Sequence, residues 1–227
     1  MKTTSHRIYI LGLCICLTGC ITEHFTKGTD FNTANANQIA KGTTASNAII
    51  SMFGPPLSKT PEPTGGERWI YDYETSTIKA HADYGAAKAD STGGKKTLNI
   101  LFDKNGVVVN FLLDEGPTIP VNVIDNPDAK RVVTTGHDFE KSKVDQIIIG
   151  KTTAEQISSM FGVPSSKEPE VDDSQRWEYT YETLTTPHGL FSDGKSMEYT
   201  KNLKILIGSN GIVSTYTFSE GPGMIEK

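Results

Sequence analysis

Residues 42–75 and 150–183 carry one pattern twice, 108 positions apart, with eighteen of the 34 compared positions identical. Gly42, Ile49, Met52-Phe53-Gly54, Pro56, Ser58-Lys59 and Pro61-Glu62 recur as Gly150, Ile157, Met160-Phe161-Gly162, Pro164, Ser166-Lys167 and Pro169-Glu170. Arg68-Trp69, Tyr71 and Tyr73-Glu74-Thr75 recur as Arg176-Trp177, Tyr179 and Tyr181-Glu182-Thr183. Further on the offset falls to 105, aligning Leu98-Asn99-Ile100, Asn105-Gly106 and Glu115-Gly116-Pro117 with Leu203-Lys204-Ile205, Asn210-Gly211 and Glu220-Gly221-Pro222. A tandem duplication of this kind demands two similar folding units in one chain.

Each copy predicts two helices and then a meander. In the second copy Val144, Ile147 and Ile148 share a helical face that Gly150 ends. Thr152 or Thr153 then caps a helix, with Glu155 or Gln156 placed to complete a capping box. Ile157, Met160 and Phe161 form its buried stripe, and Gly162 with Pro164 stops it. The first copy repeats this with Thr44 as cap, Ala45, Ala48, Ile49, Met52 and Phe53 as stripe, and Gly54-Pro55-Pro56 as stop. Strict alternation follows: Trp69, Tyr71 and Tyr73, like Trp177, Tyr179 and Tyr181, point to one side of a half-buried strand. Leu98-Ile100-Phe102 and Leu203-Ile205-Ile207 make a second strand. The Asn-Gly pairs make tight turns into a third, Val107 to Leu113 or Ile212 to Phe218. The expected fold class is therefore α+β: two tandem ααβββ modules, each two helices on a three-stranded antiparallel sheet. The expected boundaries are 1–19 signal peptide, 20–29 lipidated tether, 30–117 first module, 118–137 linker and 138–227 second module. Val121 to Ile124 could add an edge strand in that linker. Residues 76–97 and 184–202 read as long loops.

The first twenty residues have three zones. Lys2, His6 and Arg7 form a basic start, and Ile8 to Leu17 is a ten-residue uncharged apolar run. Leu17-Thr18-Gly19-Cys20 closes it. A short apolar core behind positive charge is the pattern of a secretory signal. The ending resembles the bacterial lipoprotein box, which implies a diacylglyceryl thioether on Cys20, cleavage between Gly19 and Cys20, and acylation of the new amine. Several acyl chains, at about 0.8 kcal/mol per buried CH₂, hold a protein on a bilayer. Ile21, rather than aspartate, after the cysteine favours the outer membrane, facing the periplasm.

Net charge is −5, which argues against a nucleic-acid partner. Cys14, Cys16 and Cys20 all fall in the N-terminal segment, so the rest of the chain has neither a disulfide framework nor a thiolate zinc site. His81-Ala82-Asp83 and His137-Asp138 are isolated fragments without converging ligands. Asp172-Asp173 and Asp114-Glu115 lack a partner base. Gly93-Gly94-Lys95-Lys96 has the wrong spacing for a phosphate loop. No catalytic residues, metal, small-molecule substrate or cofactor are expected, apart from the covalent lipid on Cys20.

One pattern recurs in both copies: Ile39, Gly42, Thr44, Phe53-Gly54-Pro55-Pro56, Trp69, Tyr71 and Tyr73, and again Ile147, Gly150, Thr152, Phe161-Gly162-Val163-Pro164, Trp177, Tyr179 and Tyr181. It resembles the SmpA/OmlA (BamE-like) family of outer-membrane lipoproteins, whose members typically carry one copy. The resemblance implies a lipid-anchored cell-envelope protein that works by protein binding, as a scaffold or adaptor, with a barrel-assembly complex among its partners. The tandem is also similar to beta-lactamase inhibitory protein, although that family's disulfides are missing. That similarity implies the alternative, an inhibitor or ligand binder using the concave surface of two sheets. Within the second copy's long loop, Leu190, Phe191, Met197 and Tyr199 are the candidate partner contacts, because the first copy's loop offers only small and charged residues there. Folding of these residues onto their own sheet is the competing expectation.

Overall fold

The computed structural model describes residues 20–83, 85–127, 129–188 and 195–222. Among these residues eleven strands form one antiparallel sheet, and strand outweighs helix by 56% to 13%. The expected pair of ααβββ modules with two helices each is therefore corrected. Among the described residues each copy supplies five strands, and its longest helix is the α-helix bearing the Phe-Gly stop.

The first copy runs β1 (Ile21–Gly28), a 3-10 helix (Thr33–Gln38), α1 (Ser46–Phe53), β2 (Ser58–Pro61), β3 (Glu67–Asp83), β4 (Ala86–Phe102) and β5 (Val108–Pro117). The second runs β7 (Lys130–Thr135), α2 (Lys141–Val144), α3 (Ala154–Phe161), β8 (Ser166–Pro169), β9 (Gln175–Pro187), β10 (Met197–Ile207) and β11 (Val213–Pro222). Strand β6 (Val121–Asn126) lies between them. The duplication thus begins earlier than the conspicuous matches. Thr26-x-Gly28-x-Asp30-Phe31 recurs as Thr134-x-Gly136-x-Asp138-Phe139, again 108 positions on.

Two physical reasons account for the correction. The first expected helix has little to bury, since between Asn32 and Ile39 only Ala36 enters the core. Its asparagines also favour local side-chain bonds, and Asn32 accepts from the Ala34 amide at 3.0 Å. The result is six residues of 3-10 helix in one copy and four residues of α-helix in the other. The first long loop is strand on both sides of a turn at Gly85, and of the second, residues 184–187 and 197–202 are strand. Gly93-Gly94 makes no turn but pairs with Ser76 and Thr75, and β3 and β4 pair continuously from Glu67↔Phe102 to Asp83↔Ala86. Their outer halves have weak side-chain alternation and are held by backbone ladders. β1 pairs with β3 from Ile21↔Ala80 to Gly28↔Tyr73, and β6 pairs with β4.

The segments read as tether and linker are β1 and the β6–β7 hairpin. β6 is an interior strand rather than an edge, lying between β4 and β7, and β7 passes the sheet on to β9. One backbone path, β1-β3-β4-β6-β7-β9-β10-β11, therefore crosses both copies.

Each copy keeps its own core on the helix side of the sheet. Ile49, Phe53, Trp69, Tyr71, Leu98 and Ile100 are buried in the first, with Ile157, Phe161, Trp177, Tyr179, Leu203 and Ile205 as their equivalents. Phe31 packs edge-on against Phe53 at 6.0 Å, and Phe139 against Phe161 at 5.6 Å. The duplicated Trp/Tyr positions are thus core residues. Val144 and Ile147 enter the core as expected, whereas Ile148 faces solvent.

The Gly-x-Thr motif now has a cause. Gly42 and Gly150 donate to the carbonyls of Val108 and Val213, and Thr44 and Thr152 accept from the amides of Ala40 and Ile148. Thr153 and Gln156 form the expected capping box on α3, but Ala45 occupies that position on α1 and provides no side-chain cap. Both Asn-Gly turns form, with φ 74° at Gly106 and 75° at Gly211.

Candidate functional site

The two modules differ on the side of the sheet turned away from the helices. In the first module these outward residues are Arg68, Ile70 and Asp72 on β3, Lys95, Thr97, Asn99 and Leu101 on β4, and Asn110, Leu112 and Asp114 on β5. Polar residues on an open sheet face would normally be solvated. Here Arg68, Asn99, Leu101, Asn110 and Asp114 are all buried.

The second module's β8 covers them. On one side β8 pairs with β9, from Ser166↔Glu178 to Pro169↔Gln175. Its other edge presents carbonyls that would be unsatisfied if buried alone. Side chains of the first module supply the donors. Lys95 Nζ donates to the Ser165 carbonyl at 3.2 Å, Asn99 Nδ2 to that of Lys167 at 3.0 Å, and Arg68 Nη1 to that of Pro169 at 3.2 Å. Asn110 Nδ2 donates to the carbonyl of Glu170 at 2.7 Å.

Charge closes the same contact. Asp114 lies between Lys167 Nζ at 2.9 Å and Lys95 Nζ at 3.3 Å. Arg68 bonds Glu62 at 2.8 Å and lies 3.7 Å from Glu168. Few of these groups reach bulk water, so their mutual bonds are weakly screened.

The equivalent face of the second module is open. Arg176 and Glu178 on β9, Lys204 on β10 and Thr215, Thr217 and Ser219 on β11 point outward, with nothing above them among the described residues. The side chains of Arg176 and Lys204 are 51% and 52% exposed. Among the described residues they engage only neighbours on their own module: Arg176 pairs with Glu168 and Glu170, and Lys204 with Glu178 at 3.4 Å. Beside the module junction a cleft of about 230 Å³ is lined by Gly93, Ile119, His137, Phe161, Val163 and Tyr179. Burial pushes the Tyr179 hydroxyl above its ordinary pKa.

The predicted site residues are not gathered into one place. Cys20 is exposed, carries a free thiol and immediately precedes β1. Gly19, Leu190 and Phe191 lie outside the described residues. Met197, 67% exposed, and Tyr199, 37% exposed, belong to β10, not to a loop. They share the parity of Leu203 and so lie on the helix side, away from the open face. Tyr199 also donates its hydroxyl to Glu220 at 3.2 Å.

Of the candidate metal fragments, His81 sits on β3 and His137 beside Gly136. Among the described residues no three His, Cys, Asp or Glu side chains converge. The outward-facing donors Arg68, Lys95, Asn99 and Asn110 were missed by sequence reasoning. The available signal was a strand whose non-core face alternates polar residues that differ between otherwise matching copies. Comparison with family models, curated proteins and solved structures finds no match.

Proposed function

We propose that this chain is a lipid-anchored envelope lipoprotein that acts by non-catalytic protein binding, as a scaffold or adaptor facing the periplasm from the outer membrane. The observation carrying this reading is the open outward face of the second module. A duplicated surface that binds protein in one copy is left solvated in the other, with Arg176, Glu178 and Lys204 arrayed across it. A flat, charged strand face suits protein docking more than a small molecule, which prefers an enclosed apolar pocket. The lipoprotein-like Leu17-Thr18-Gly19-Cys20 sequence and the exposed Cys20 support the anchor. The resemblance of both copies to the SmpA/OmlA pattern makes a barrel-assembly complex the first partner to seek.

Co-purification from membranes in mild detergent tests the proposal. Recovery of a barrel-assembly complex, lost on Thr217→Arg, supports an adaptor working through this face. Stoichiometric capture of one soluble enzyme would replace that reading with an inhibitor. Recovery unaffected by Thr217→Arg would remove the face from the function.

A further inference from the structure

The contact between the modules has two halves, an edge and a face. The edge is β8, whose outward carbonyls belong to Ser165, Lys167, Pro169 and Glu170. The face is a set of donors on the first module's sheet. Duplication made two edges and two faces, and the folded chain uses one of each. What remains is the β2 edge of the first module and the outward face of the second.

The unused edge nearly copies the used one. Ser58-Lys59-Thr60-Pro61-Glu62 stands against Ser166-Lys167-Glu168-Pro169-Glu170, four of five residues identical. Their environments are opposite. Pro169 is completely buried, while Lys59, Thr60 and Pro61 are exposed. Strand β2 pairs with β3 on one side only. Among the described residues no donor reaches the carbonyls of Leu57, Lys59 or Pro61, the positions capped in β8.

The unused face keeps the means to cap them. The four donor positions Arg68, Lys95, Asn99 and Asn110 become Arg176, Thr200, Lys204 and Thr215, and each still carries an N–H or O–H group. Charge is rearranged but complementary. Asp114, which receives Lys167, becomes Ser219, while Ile70 beside Lys167 becomes Glu178. A lysine arriving with the second edge thus meets a carboxylate on β9, two strands from the position of Ser219 on β11.

Resting on the reading of this face as a protein-docking platform, we propose that its occupant is the β2 edge of a second copy of this chain. The contact is heterologous: a copy that receives an edge on its second module still offers its own β2. Such contacts repeat head to tail instead of closing as a symmetric dimer. The same edge protection that joins the modules within one chain would join successive chains.

The full-length chain, purified in detergent with a photo-crosslinking residue at Thr60, tests this. The expected product is a ladder starting at twice the chain's mass, with the cross-link mapping to residues 176–219. Pro61→Arg blocks the edge and Thr215→Arg blocks the face. Both positions are exposed, so each variant should keep its thermal midpoint and lose at least tenfold in adduct yield. If either loses its fold, Thr60→Arg or Thr217→Arg replaces it, with the photo-crosslinker moved to Lys59 for an edge variant. The decisive arm mixes the two blocked proteins. The Thr215→Arg copy retains its edge and the Pro61→Arg copy its face, so the mixture should yield discrete dimers and no higher species. No inter-copy adduct, cross-links mapping elsewhere, or a mixture that stays monomeric would overturn the proposal. An envelope partner lost on Thr217→Arg without self-association would leave the platform standing and remove the second copy as its occupant. Self-association through this face without an envelope partner would keep the second copy as the occupant and remove the envelope adaptor.

Discussion

Replacing Leu101 by alanine measures how much of the fold depends on the second module covering the first. Leu101 points outward, opposite Arg68 on β3 and Asn110 on β5, yet is only 2% exposed. It belongs to neither helix-side core. Its burial comes from the segment at Pro169 and Glu170 that Arg68 and Asn110 hold down. Fully burying a leucine contributes about 1.5–3 kcal/mol, and leucine truncation in packed interiors costs about 2–5 kcal/mol. The covering strand has four residues and can settle into part of the space, so the expected cost lies near the lower end, about 2–3 kcal/mol. The equivalent Leu206 lies on the open face and is half-buried, so Leu206→Ala should cost about 1 kcal/mol or less. Guanidinium unfolding separates the two. The chain has two tryptophans, one per core, so a Trp177→Phe background lets Trp69 fluorescence report the first module for Leu101→Ala, and a Trp69→Phe background lets Trp177 report the second for Leu206→Ala. Equal costs for the two leucines, or less than about 1 kcal/mol for Leu101→Ala, would mean that β8 does not cover this face in solution.

Cys20→Ala should abolish acyl labelling and leave a precursor retaining residues 1–19; normal processing and labelling of that variant would refute the anchor. Phe53→Ala or Trp177→Ala should lower stability by about 3–5 kcal/mol in chemical denaturation, as buried aromatic truncations do. Gly136→Ala places a Cβ 2.1 Å from the Thr180 carbonyl oxygen at φ +88°, so a loss beyond the usual strain of about 1–3 kcal/mol is expected, readable as a fall in thermal midpoint. Burial pushes the Tyr71 hydroxyl up to about 12. The folded state therefore holds a proton that the unfolded state has released, and stability should decline between pH 10 and about 12. Tyr71→Phe should flatten that decline in denaturation midpoints measured across the window.

The cores were legible because their signals are local and strong. The Phe-Gly stop, the alternating Trp and Tyr positions and the Asn-Gly turns each specify a conformation within a few residues, and all formed. The number of strands was not legible. Residues such as Lys79, Ala80, Ala87 and Ala89 bury little, and they are held as strands by the β3–β4 ladder and by β1 and β6, which add ladders from far away in sequence. The early start of the repeat could have been found, since Gly28, Asp30 and Phe31 match Gly136, Asp138 and Phe139 at the known offset. It would have revealed the tether as the repeat counterpart of β7. The outward face was hidden for another reason. Nothing in Asn99 or Asn110 alone says whether a polar strand residue meets water or the edge of another strand.

A lipid on Cys20 would be joined to a strut rather than to a string. Strand β1 begins at the next residue and runs eight residues along β3 toward the first core, a rise of about 27 Å. A flexible leash of that length would let the modules wander over a hemisphere. With β1 paired along β3, the length between such a lipid and the first core would be set, so molecules anchored side by side would present their surfaces at one common level. Search for a neighbour then takes place in a plane, with rotation about the vertical as the main freedom left. Adding two residues between Cys20 and β1 would raise every copy by up to about 7 Å together, changing which membrane neighbours are within reach without altering any contact among the copies themselves.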